Sequence, residues 1–75
     1  MMYILSILEM EYLSINAFCK LSGIGRSHFY KLNRGENRPR IETIKYLALT
    51  LAKLDNQHWK IHAQKIKDEF NLKNA

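Results

Sequence analysis

The sequence predicts an all-α fold, a compact five-helix domain spanning residues 1–75, and three observations predict it. First, residues 14–35 read as two short helices joined by a tight turn, with Ser14 as a cap and Gly23 and Gly35 as stops. Second, Ile41, Ile44, Leu47, Ala48 and Leu51 recur at the spacing of a buried helical stripe. Third, Trp59, Ala63, Ile66 and Phe70 repeat at intervals of four, three and four on a later amphipathic face.

Residues 2–12 form the first expected helix. Tyr3, Ile4, Leu5, Ile7 and Leu8 make an almost continuous apolar strip, and Ile4 and Leu8 share one face. A short apolar run is ambiguous by itself, so a strand over residues 3–8 stays open at this point. Ser14 then caps a helix from Ile15 to Ser22, and Gly23 leaves it in the left-handed region that glycine enters most easily. The next helix runs from Arg26 to Asn33. Phe18, Ile24, Phe29 and Leu32 supply inward bulk, while Arg26, Ser27, Tyr30 and Lys31 form a polar, basic outer face. A charged loop, NRGENRPR, follows over residues 33–40. A fourth helix is expected from Arg40 to Leu54, with Tyr46, Leu49 and Leu54 as apolar residues beyond its main stripe. Asp55 and Asn56 mark a turn and cap before a fifth helix over residues 57–72, and residues 71–75 fray. That last helix, within residues 56–72, closes its own core or serves a dimer through Trp59, Ile66 and Phe70, and the two uses are compatible.

Charge is unevenly spread. Residues 1–19 carry only Glu9 and Glu11, whereas residues 20–45 carry seven basic and two acidic side chains within a chain of net +5. The excess centres on the helix Arg26–Asn33 and the loop after it. A short helix held by a core and carrying a basic outer face has the shape and charge to enter a DNA major groove. Arg26 is the strongest candidate for a base contact, because a guanidinium can meet guanine O6 and N7 together. Lys31 can do similar work with looser geometry, and Ser27 offers a short, unselective hydrogen bond. Tyr30 can meet a phosphate, a sugar or a thymine methyl. Arg34, Arg38 and Arg40 can bracket a phosphate path, with Glu36 pairing to a neighbouring arginine. Asn16 stands at a helix N-terminus whose free amides suit a phosphate.

This stretch resembles the lambda-repressor and Cro class of helix-turn-helix domains (the XRE family). The features that carry the resemblance are Phe18-Cys19, Gly23, Ile24, Phe29, Leu32, Gly35, Pro39 and Ile41-Glu42-Thr43-Ile44, in order over residues 7–51. The resemblance favours helix for residues 2–12. It implies a lambda-repressor-like helix-turn-helix fold, with Arg26, Ser27 and Lys31 at positions that reach base edges. The chain departs from the pattern in several places, Leu21, Ser22, Glu36 and Asn37 among them. Gly25 stands where a serine or threonine cap is usual, Glu9 and Glu11 replace a basic end to the first helix, and Tyr12 and Leu13 stand where a glycine usually precedes the next cap.

Other chemistries find little support. One cysteine, Cys19, permits no intrachain disulfide, suits a small buried position, and fits a reducing, cytoplasmic compartment. His58 and His62 lie four apart but offer only two ligands, and with His28 they specify no metal site. No reacting set of side chains is arranged for catalysis, and no cofactor is expected. The apolar start MMYILSILEM is too short to span a bilayer. The expectation is a sequence-specific transcriptional regulator, a dimeric repressor on a palindromic operator in double-stranded DNA, of phage, plasmid or bacterial origin. The alternative is an antitoxin or partner-binding module with autoregulatory DNA binding, motivated by surplus apolar residues such as Leu5, Leu21 and Tyr46.

Overall fold

A computed structural model describes residues 2–73, with side chains through residue 71. Five helices follow one another: α1 (Met2–Met10), α2 (Ile15–Ser22), α3 (Arg26–Asn33), α4 (Ile41–Asp55) and α5 (Trp59–Lys73). No strand occurs among the described residues, so the open question over residues 3–8 resolves as helix. The fraying expected beyond Lys73 lies outside the described residues. A radius of gyration of 11.2 Å equals the ~11 Å expected of a folded chain of this length.

The core draws on every helix. Ile4 and Leu8 of α1, Phe18 and Cys19 of α2, and Phe29 and Leu32 of α3 meet Ile44, Leu47, Ala48 and Leu51 of α4. Ala63, Ile66 and Phe70 of α5 complete it, with Trp59 packed half-buried at the edge. Lys45 Nζ stands 5.8 Å above the Trp59 ring, a cation–π contact that covers part of the remaining indole face. The helix that closes the core is therefore α5. Ile66 (1% exposed) and Phe70 (5%) are spent inside their own chain and present almost no surface to a second copy, contrary to their expected use as dimer contacts.

Two further expectations are corrected. Ile41, assigned to the buried stripe of α4, is 77% exposed. It is the first residue of α4 and lies outside the core, whereas Pro39, two positions earlier, is buried. The start of α5 moves from residue 57 to Trp59, because the turn before it uses side chains as local acceptors. Asn56 closes α4 in the left-handed region, Asp55 Oδ1 accepts from the Gln57 amide (3.1 Å), and His58 Nδ1 accepts from the Lys60 amide (3.2 Å).

His62 is the largest surprise. Four residues after the exposed His58, it is fully buried. Its Nε2 lies 2.9 Å from Asp55 Oδ1, and its Nδ1 lies 2.5 Å from the Tyr3 hydroxyl. A carboxylate only accepts, so Nε2 carries the proton, and in the neutral ring Nδ1 then accepts from the Tyr3 O–H. Burial, reinforced by the negative charge of Asp55, raises the Tyr3 pKa and keeps its phenol a donor. The Tyr3 amide also donates to Glu69 Oε2 at 2.8 Å. One residue of α1 thus reaches α5 twice, and through His62 it reaches the end of α4. No buried side-chain nitrogen or oxygen among the described residues lacks a partner.

Candidate nucleic-acid interface

Sequence punctuation sets the geometry of α2 and α3. Ser14 Oγ accepts from the Ala17 amide (3.1 Å), which caps α2. Gly23, at φ 76°, ends it in the left-handed region. Ser22 Oγ returns its proton to the Cys19 carbonyl (3.3 Å), which lets a serine sit half-buried here. Gly25 is extended and starts α3 with no side-chain cap, so an end that serine would have satisfied is left to solvent or a ligand. Between the two helices Phe18 and Phe29 meet edge to face, with centroids 5.9 Å apart. That contact and the fully buried Leu32 fix which side of α3 points inward.

The opposite side points outward. Arg26, Ser27, Tyr30 and Lys31 are all exposed, as are Asn16, Arg34, Arg38 and Arg40. Within this surface the predicted residues fall into four groups. Arg26 Nη1 donates to Asn16 Oδ1 at 3.4 Å, a long and weak bond that joins the starts of α2 and α3. Arg34 donates through Nε (3.2 Å) and Nη2 (2.8 Å) to the same oxygen of Glu36, so its charge is engaged by an acidic neighbour two positions on. Arg38 reaches across to Asn71 of α5 (2.9 Å) and also lines, with Arg40, a polar cleft completed by His28, Asn37, Glu42, Thr43 and Tyr46. Ser27, Tyr30 and Lys31 make no side-chain hydrogen bond within the described chain.

Reading the sequence missed the tie from Arg38 to Asn71, which spans 33 positions and has no local signature. It also left His28 without an assignment, whereas the fold sets it beside the two arginines of the loop. Cys19 lies behind this surface, 4% exposed, where burial pushes its thiol pKa up against the opposing effect of Arg26. That environment suits a structural thiol rather than a reactive one.

No group of three His, Cys, Asp or Glu side chains among the described residues could hold a metal ion. No helix among them is long and apolar enough to cross a membrane. No family model matches the chain, and neither a curated protein nor a solved structure does, so what this surface binds has to be argued from its own residues.

Proposed function

We propose that the chain is a sequence-specific DNA-binding regulator of the helix-turn-helix kind, acting as a homodimeric repressor that covers a promoter. The observation that carries this reading is the division of α3: Phe29 and Leu32 are fully buried, while Arg26, Ser27 and Lys31 stand clear of the protein on the other side. Arg26 and Lys31 are the base-reading candidates, with Ser27 beside them. Asn16, Tyr30, Arg34, Arg38 and Arg40 would hold the phosphates and set register without reading sequence. Extents of 30 × 25 × 21 Å suit two copies whose α3 helices enter successive major grooves ~34 Å apart. With Ile66 and Phe70 inside the core, the apolar surface for such a dimer among the described side chains of α5 reduces to the rim of Trp59 and the exposed Ile61.

The test is selection from a randomised duplex pool, followed by affinity of the enriched sequence across a salt series. An enriched palindrome is expected, and Arg26→Ala is expected to weaken its binding about tenfold to a hundredfold and relax selectivity at one base pair of each half-site. A steep salt dependence with no enriched sequence would leave phosphate binding and remove the repressor. No binding by the folded protein at low salt would remove both.

The pairing of Arg34 with Glu36 gives a prediction of opposite sign. Glu36→Gln frees the guanidinium and deletes a negative charge from the phosphate-facing loop. Duplex affinity is expected to rise about threefold to tenfold at low salt, with the plot of log K against log salt steeper by about 0.9 for one further neutralised phosphate. Unchanged affinity would place Arg34 away from the DNA.

A second reading, a module whose main task is to hold another protein, draws on exposed apolar side chains. Leu21 is 59% exposed and Tyr46 is 58%. A stable complex with the product of a neighbouring gene, weakened by Leu21→Ser or Tyr46→Ser, would favour it, and a clean, active homodimer alone would count against it.

A further inference from the structure

Four described residues have a left-handed backbone: Tyr12, Gly23, Gly35 and Asn56. All four lie at helix ends. Glycine and asparagine suit that conformation, and tyrosine does not. The ends of α1 and α3 make the comparison direct, because their hydrogen bonds match pair for pair. At α3 the Glu36 amide donates to the Lys31 carbonyl (3.0 Å) and the Gly35 amide to the Leu32 carbonyl (3.1 Å). At α1 the Leu13 amide donates to the Leu8 carbonyl (2.9 Å) and the Tyr12 amide to the Glu9 carbonyl (3.2 Å). Both are the same closing motif, in which glycine is the favoured residue. Gly35 fills that position at φ 79°, whereas Tyr12 fills it at φ 53°.

The fold does not account for the tyrosine. Its side chain is 97% exposed, packs in no part of the core, and its hydroxyl has no hydrogen-bond partner among the described residues. A residue kept in an unfavourable conformation with no return inside the protein points outward for its reason. Its place supplies one. Tyr12 precedes by two residues the cap of α2, and Asn16 in the first turn of that helix accepts from Arg26 at the start of α3. Four residues of chain span at most about 14 Å, comparable with the ~12 Å width of the major groove. With α3 in the groove, that span leaves Tyr12 within reach of the phosphate ridge that borders it. Glu11 beside it repels phosphate, and between Met10 and Ser14 the Tyr12 phenol is the only side-chain donor.

We infer that the Tyr12 hydroxyl donates a hydrogen bond to a phosphate of the bound duplex, on the groove edge next to Arg26. The inference rests on the DNA-binding reading above and adds a residue at the position where the family pattern has glycine. Because the phenol is uncharged, it contributes affinity without releasing a counterion.

The experiment compares Tyr12→Gly and Tyr12→Phe with the unchanged chain, in thermal unfolding and in binding to the selected duplex across a salt series. Tyr12→Gly is expected to raise Tm by about 4–8 °C and to weaken binding about threefold to tenfold. A more stable protein that binds less well cannot owe its loss to unfolding. Tyr12→Phe is expected to keep the original Tm and lose the same affinity, and both variants keep the original salt slope. Duplex binding unchanged by Tyr12→Gly would overturn the contact while leaving the DNA-binding reading standing. Unimpaired binding by Tyr12→Phe would overturn the hydrogen bond, and a salt slope shallower by about 0.9 in either variant would mean that a cationic contact had been lost instead. If the unchanged chain binds no duplex at low salt, both readings fall together.

Discussion

Replacing His62 by alanine is expected to lower the free energy of unfolding by about 3 kcal/mol, within the range for emptying a buried site. The side chain is fully buried, so its loss leaves a cavity. The loss is also chemical, because Tyr3 forfeits its acceptor and Asp55 its main donor at the junction of three helices. A chain of this size has a total stability of roughly 4–11 kcal/mol, and Tm should fall by about 12–24 °C. Tyr3→Phe, which removes one hydrogen bond and keeps the ring, should cost about 1 kcal/mol. Equal losses for the two variants would show that the Tyr3 hydrogen bond is the whole of the His62 contribution, with nothing from its volume or from Asp55.

The same junction predicts an acid limb. Burial alone pushes the Asp55 carboxyl up, but the hydrogen bonds from His62 and the Gln57 amide outweigh it and hold the pKa below the usual aspartate range. A carboxyl depressed on folding contributes stability above its unfolded pKa of ~3.9 and loses it as pH falls through the folded value. Asp55→Asn keeps an acceptor oxygen for both donors but not the charge, so the variant should be less stable than the original near neutrality. Its denaturation midpoint should fall less between pH 5 and pH 2, and an acid limb identical to the original would assign that limb to other carboxylates.

Phe29→Ala carries the largest expected loss, about 3–5 kcal/mol, enough to leave a domain of this size marginally folded. Phe29 is fully buried and meets the edge of Phe18. It is also one of only two buried anchors on α3, the other being Leu32. An eight-residue helix does not persist in water without packing, so the variant should lose the ordered row Arg26, Ser27 and Lys31 together with its stability. Phe29→Leu, which refills most of the volume, should cost about 1–1.5 kcal/mol. Denaturant midpoints for both variants check this, and a loss under 1 kcal/mol for alanine would mean that α3 is held by something other than its aromatic anchor.

Residues 14–35 were the most legible part of the chain because their information is local. A serine cap, a glycine exit and an aromatic core position each act within one turn, and α2 and α3 occupy the expected spans Ile15–Ser22 and Arg26–Asn33. The solvent-facing placement of Arg26, Ser27 and Lys31 follows from the same local periodicity. What was illegible depended on distance along the chain. The partner that makes His62 a core residue, Tyr3, stands 59 positions away, and nothing around His62 marks it apart from His58. Ile41 illustrates a different limit. Its spacing to Ile44 is correct for one helical face, yet a face continues past the core, and periodicity carries no signal for where the neighbouring helices stop.

The ties from Tyr3 to His62 and Glu69 also bear on the order in which the molecule takes shape during synthesis. Tyr3 and Glu69 are 66 positions apart, so at ordinary elongation rates the ribosome makes the α5 contact roughly 3–13 s after the α1 residue that needs it. Through that interval α1 is a nine-residue segment too short to stay helical alone, with Ile4 and Leu8 lacking their α5 neighbours. The unit of α2 and α3, whose contacts are local, is made whole well before. The helix made first is therefore the last to settle, and the nascent chain carries its most apolar stretch uncovered until translation has passed Glu69.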